Sequence, residues 1–117
     1  MIIMLKSKIH RARITNLNID YEGSITIDED LLDAAGLAPG EAVLVSNLNN
    51  GSRQETYVMT GDRGSGTVCL NGASARLAHV GDTIIIMGFA YLTPDELRLH
   101  EPRKVVVNEQ NRIIRGP

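Results

Sequence analysis

Short β-rich runs set apart by glycine and asparagine turns, only brief helix signals between them, and a length of 117 residues predict a mainly β protein closed into a small barrel. One ordinary domain over residues 1–117 is expected, with a single core that needs no staples. Apolar residues make up 43% of the chain but aromatic ones only 3%, with no Trp. The interior must therefore be filled by Ile, Val, Leu and Ala.

The elements follow in order. Residues 8–15 (KIHRARIT) alternate in character and predict a strand with Lys8, His10, Ala12 and Ile14 on one face. Residues 24–27 form a short β-rich run. Asp28 is an N-cap for a short helix carrying Leu31, Leu32, Ala34 and Ala35 and stopped at Gly36. Residues 42–48 and 53–60 read as a hairpin around Asn49-Asn50-Gly51. Three glycines in 61–66 require a tight connection. Residues 67–70 and 83–90 are further strands, the second (TIIIMGFA) apolar on both faces and so central. Residues 71–78 read as a turn and short helix. Thr93-Pro94-Asp95-Glu96 carries the pattern of a helix start, and 103–107 with 112–114 reads as a last hairpin.

Composition also excludes classes of function. Net charge is −2 and the pI about 5.9, so a nucleic-acid partner, which would need a basic excess and aromatic platforms, is not expected. An anionic ligand must be held by a few placed cations. A lone cysteine, Cys69, rules out an internal disulfide and fits a reducing compartment. The first five residues are apolar but are followed at once by Lys6, Lys8, Arg11 and Arg13, unlike a leader. No apolar run approaches the roughly 20 residues of a membrane span, and the cytoplasm is the expected location. His10, His79, His100 and Cys69 are scattered without metal-site spacing, so no metal is expected. Gly61 and Gly66 have the spacing of a phosphate loop, but Thr67-Val68 stands where its lysine and hydroxyl residue belong. The acidic run Asp28-Glu29-Asp30 suits a helix N-terminus.

Tyr21-Glu22-Gly23-Ser24 stands before a strand, and alone Gly-Ser is only a turn. Alongside Lys8-Ile9-His10-Arg11, Asp33-Ala34-Ala35-Gly36, Asn50-Gly51-Ser52-Arg53 with Thr56-Tyr57, and Gly64-Ser65 with Asn71-Gly72-Ala73, it makes the chain resemble the bacterial, pyruvoyl-dependent aspartate 1-decarboxylases. The resemblance runs in order from residue 1 to about 107.

That resemblance implies a double-psi β-barrel and a homotetramer with active sites between subunits. It implies that the chain cuts itself: the Ser24 hydroxyl attacks the Gly23 carbonyl, moving the acyl group from nitrogen to oxygen, with Thr56 as donor to the oxyanion. Gly23 suits this because it lacks Cβ and takes up conformations that other residues resist. Loss of the Ser24 α-proton then expels the Gly23 carboxylate, and hydrolysis releases ammonia, leaving a covalent pyruvoyl cofactor in place of Ser24. L-aspartate would join the ketone as a Schiff base, lose carbon dioxide and yield β-alanine for pantothenate biosynthesis. Tyr57 is implied as proton donor, Lys8 and Arg53 as cations for the two carboxylates, and Asn71, Gly72 and Ala73 as the pocket loop. His10 and Tyr21 are further candidates, and a maturation partner is a further possibility.

Taken singly these residues have plainer readings: Lys8 and Arg53 as solvated strand charges, Tyr57 as a core tyrosine, Thr56 as a strand former. The chain departs from the pattern at Ser46, where some relatives carry an aromatic residue, and at Ala73-Ser74-Ala75-Arg76, where many read Ala-Ala-Ala-His. The tail after Val107 matches poorly. Two rival readings are a non-processing barrel that only binds, and a pyruvoyl decarboxylase for another amino acid.

Overall fold

The computed structural model describes residues 1–117. Its strands are β1 (Ile2–Arg13), β2 (Asn16–Asn18), β3 (Ser24–Asp28), β4 (Ala42–Asn47), β5 (Arg53–Gly61), β6 (Val68–Asn71), β7 (Thr83–Leu92), β8 (Arg103–Val107) and β9 (Ile113–Arg115), with one α-helix, α1 (Glu29–Ala35). Short 3₁₀ turns cover Gly72–Leu77 and Glu96–Leu99. The β4–β5 and β8–β9 hairpins, the helix and its caps, and a central β7 all match the sequence reading. At Thr93 the reciprocal capping bonds form, Thr93 N–H to Glu96 Oε1 at 2.8 Å and Glu96 N–H to Thr93 Oγ1 at 3.3 Å. The helix they open is only a 3₁₀ turn.

The fold is mainly β, but the expected closed barrel is not seen as a closed ladder. Pairing runs β2-β6-β3-β5-β4-β7-β1-β8-β9 and has two ends. The reason lies in the chain path. β1, which pairs with β7 and β8, leads within two residues into β2, which pairs with β6. At the crossing, Thr15 N–H donates to the Val68 carbonyl at 2.8 Å and Ile14 N–H to the Asp82 carbonyl at 2.9 Å. The sheet bends round through the covalent chain, not through a ladder joining β2 to β9.

β1 also corrects the sequence reading of its faces. A bulge between His10 and Ala12 leaves Arg11 without a partner, at φ +67°. An extra residue reverses the in–out alternation beyond it. Ser7 and Ile9 face the core before the bulge, and Ala12 and Ile14 after it, while Lys8 and His10 lie on the outer face. The four residues expected on one face are thus split two and two.

The core is aliphatic, as composition requires, with Ile9, Ile25, Ile27, Leu70, Ile84 and Ile86 wholly enclosed. Phe89 and all three tyrosines lie outside it. Asp28 caps α1 through its bond to Asp30 N–H, and it does more: the same carboxylate accepts from Gly64 N–H at 3.0 Å and Gly66 N–H at 2.8 Å. It therefore ties the glycine-rich connection to the helix start. At the other end, the carbonyls of Ala34, Ala35 and Gly36 accept from Arg103 Nε, Ser7 Oγ and Lys6 Nζ.

The tail, to which the sequence assigned nothing, has a structural task. Asn111, buried and at φ +59°, accepts from Arg13 N–H at 2.7 Å and donates to the carbonyls of Arg13 and Gly66, both at 2.8 Å. One side chain thereby ties the end of β1 to the entry of β6. Asn tolerates this left-handed conformation better than other side chains do. Asn111→Ala strands three backbone groups, one buried and two partly buried, and a loss of about 2–4 kcal/mol is expected in urea unfolding. A loss below about 0.5 kcal/mol would show that water replaces the amide.

Candidate active site

β3 begins at Ser24, whose side chain is fully buried although Gly23 before it is exposed. The Ser24 hydroxyl donates to the Glu22 carbonyl at 3.0 Å and accepts from Asn71 Nδ2 at 2.9 Å. Asn71 sits opposite Ser24 in the antiparallel β3–β6 pair. The oxygen is thus held by one acceptor, able to take its proton's attraction, and one donor, which favours negative charge growing on it.

Gly23 departs from expectation. It lacks a positive φ, and a Cβ placed there would meet nothing within 4 Å. The conformational demand falls on Gly72 instead. At φ +63° its Cβ would lie 2.8 Å from both Cα and N of Gly23 and 2.9 Å from the Tyr21 carbonyl. Any side chain at 72 would displace the backbone of Tyr21 and Gly23 that leads into Ser24, so Gly72 is the residue that must stay glycine here.

β5 runs parallel to β3, with Ile25 beside Val58. The pairing starts at that point, so Tyr57 and Thr56 precede it on β5 as Ser24 and Gly23 precede it on the other chain segment. Strand alternation places Thr56 on the core side and Arg53 and Tyr57 together on the outer side. Tyr57 is 38% exposed, which removes its reading as a core residue. The Thr56 hydroxyl makes no hydrogen bond to Gly23, so the donor contact that the resemblance implies is not formed in this structure. Arg53 has no acidic partner within 4.0 Å, and neither has Lys8, whereas Lys6, Arg13 and Arg63 are paired.

Tyr21 and Asn71 line a shallow cleft of about 330 Å³ together with Thr26, Met59 and Cys69. Ala73 is exposed on the 3₁₀ turn that follows. Lys8 and His10 lie elsewhere, in a basic cleft with Lys104 and Arg115. Four strand intervals separate β1 from β3, about 19 Å along the sheet. One chain thus gathers Gly23, Ser24, Asn71 and Gly72 with Thr56 and Tyr57 nearby, leaves Lys8 and His10 apart, and sets Arg53 four residues along β5 from Tyr57, about 13 Å away. His10 Nδ1 is buried without a partner, and burial first, then Lys8, Arg11 and Arg115, lowers its pKa. The registers place His10, Ile85, Ser46 and Arg53 in one row across four strands. Ser46, singled out as a departure, therefore stands beside Arg53, and its hydroxyl is also buried without a partner.

Two neighbours of the site escaped the sequence reading. Thr26 Oγ1 accepts the second hydrogen of Asn71 Nδ2 at 3.0 Å, and the Cys69 thiol donates to Asn71 Oδ1 at 3.3 Å. Both stand two residues along from a site residue on paired strands, a relation visible only once the register is known.

A mainly β protein with a buried serine behind an exposed glycine, and unpaired cations on the same outer face, has the parts of a small lyase. Residues 1–114 match the family model described as aspartate decarboxylase, and the chain belongs to that family. It is 56% identical to an aspartate 1-decarboxylase of Caldicellulosiruptor saccharolyticus over 98% of this chain and 90% of that one. It is 53% identical to that of Bacillus licheniformis over 94% and 87%, and 54% identical to that of Staphylococcus aureus over 95% and 87%.

Proposed function

We propose that the chain converts L-aspartate to β-alanine and carbon dioxide with a pyruvoyl group made from its own Ser24 after cleavage of the Gly23-Ser24 peptide. The observation that carries this reading is the Ser24 hydroxyl, enclosed and held between the Glu22 carbonyl and the Asn71 amide directly after an unobstructed glycine. The group would supply a ketone that takes up the substrate amine and an adjoining carbonyl that accepts the electron pair released with carbon dioxide.

The chain's own residues do the rest. Asn71 donates to the attacking oxygen, and Thr56, near Gly23, supplies a hydroxyl once the carbonyl oxygen gains charge. Gly72 leaves room under the peptide. Arg53, free of acidic partners, offers a planar fork to one substrate carboxylate, and Tyr57 two positions further along the same face holds a proton for the former Cα. Asn71 lines the cleft beside Ser24, and Ala73 stands on the turn that follows it.

Lys8 would hold the other carboxylate, with His10 beside it. Their distance from Ser24 within one chain supports sites shared between subunits. The outer sheet face carries Ile3, Phe89 and Tyr91, at 60%, 42% and 66% exposure, an apolar surface that suits burial in a homotetramer. No helix is long and apolar enough to cross a membrane. A cytoplasmic enzyme folded as one double-psi barrel domain, with or without a maturation partner, completes the proposal.

Intact mass of the denatured protein tests it. Two species are expected, residues 1–23 and residues 24–117, the second lighter than a serine start by one ammonia. A single full-length mass that persists through warming and added cell extract would leave the non-processing binder. Turnover of aspartate beside glutamate and neutral amino acids tests the substrate.

A further inference from the structure

Ser24, Thr26, Cys69 and Asn71 form a square on one face of the sheet, because Ser24 pairs with Asn71 and Thr26 with Cys69 in the β3–β6 ladder. Residues two apart on a strand share a face, and paired residues on neighbouring strands do too. The central side chain is Asn71. Its Nδ2 donates to Ser24 Oγ at 2.9 Å and to Thr26 Oγ1 at 3.0 Å, which uses both of its hydrogens. Its Oδ1 faces the Cys69 sulfur at 3.3 Å; the other acceptor near that sulfur, the Leu70 carbonyl, is farther at 3.8 Å.

An amide side chain has two orientations related by a half-turn, and the donors and acceptors around it decide between them. Turned over, the amide would aim Oδ1 at Ser24 Oγ, whose hydrogen already goes to the Glu22 carbonyl. It would also aim its NH₂ at sulfur, a weak acceptor. We infer that Cys69 is a positioning residue for chain cleavage: its thiol donates to Asn71 Oδ1 and so keeps the Asn71 amide donating to the Ser24 oxygen that attacks Gly23. Cys69 is 5% exposed. Burial raises its pKa, so the sulfur keeps the hydrogen this role needs.

The inference rests on the self-cleavage reading, and its test separates the two. The rate at which purified uncut chain yields the fragment 24–117 is followed by intact mass for wild type, Cys69→Ser, Cys69→Ala and Cys69→Val. Serine keeps an O–H donor, whereas alanine and valine do not. Cys69→Ser is expected to cleave within about twofold of wild type, and the other two about three- to tenfold more slowly. A role in packing alone predicts the reverse order, with valine close to wild type and serine slow, and that order would overturn the inference. So would equal rates in all four chains. If wild type itself never cleaves, the self-cleavage reading fails. The Asn71 side-chain amide protons of the uncut chains then decide the positioning claim. They should exchange with solvent more slowly in wild type and Cys69→Ser than in Cys69→Ala, and equal exchange would refute it.

Discussion

Ser24→Ala is expected to leave the chain whole and inactive. The substitution removes the only nucleophile placed behind Gly23 and, with it, the atoms from which a ketone is made. Decarboxylation should fall by more than about 10⁴-fold, because no other group in the chain accepts the electron pair that carbon dioxide leaves behind. The fold should survive. Ser24 Oγ makes two hydrogen bonds, and Asn71 Nδ2 keeps its bond to Thr26 when that oxygen is gone. A cost of about 1 kcal/mol is expected, small beside the stability of a domain this size. Intact mass, circular dichroism and a carbon dioxide assay on one preparation check all three points. An uncut Ser24→Ala chain that still released carbon dioxide from aspartate would remove Ser24 from the chemistry altogether.

Asp28→Ala is expected to be the most damaging substitution away from the site. The buried carboxylate satisfies the N–H groups of Asp30, Gly64 and Gly66 together. Alanine deletes the helix cap and strands donors in the connection that leads into β6. The sum is about 3–5 kcal/mol, or about 12–20 °C in melting temperature for a chain of this length. The pH dependence identifies the cause. Burial alone would raise the Asp28 pKa, but the N–H groups of Gly66, Asp30 and Gly64, with Arg112, outweigh it and hold the carboxyl below its ordinary value. A depressed carboxyl contributes stability above its unfolded pKa, about 3.9, and loses it as pH falls through the folded one. Wild type should therefore weaken progressively below about pH 4. Asp28→Ala, already without this contribution, should weaken less over the same window. Asp82 and Glu96 are also held down, the first chiefly by Asn47 and the second by Thr93. Both remain in the two chains, so the difference between the curves belongs to Asp28. Parallel curves would mean that this carboxylate contributes nothing in the folded state.

The location of Cys69 and Thr26 beside Asn71 shows where sequence reading stops. Neither residue has a motif, and each matters only through a partner on another strand. Gly72 shows the same limit from the other side: its place in the motif was visible, but the burden it lifts from Gly23 was not. Nor was the three-way grip of Asn111, whose partners lie 98 and 45 residues away.

By itself the sequence determined what is local or carried in an ordered motif. The Asp28 and Gly36 caps, the 42–60 hairpin, the apolar run of β7 and the aliphatic core follow from side-chain chemistry over a few neighbouring residues. The family resemblance follows from residue order. Only the tertiary structure decided what depends on register and chain path. An extra residue at Arg11 turned Lys8 and His10 outward. The turn of β1 into β2 left the ladder open, and the parallel pairing of β3 with β5, beginning at Ile25 and Val58, brought the segment with Thr56 and Tyr57 alongside the start of β3. Four strand intervals kept Lys8 away from them. Pairing between distant strands is set by how the whole sheet packs its core, and no window of sequence contains that information.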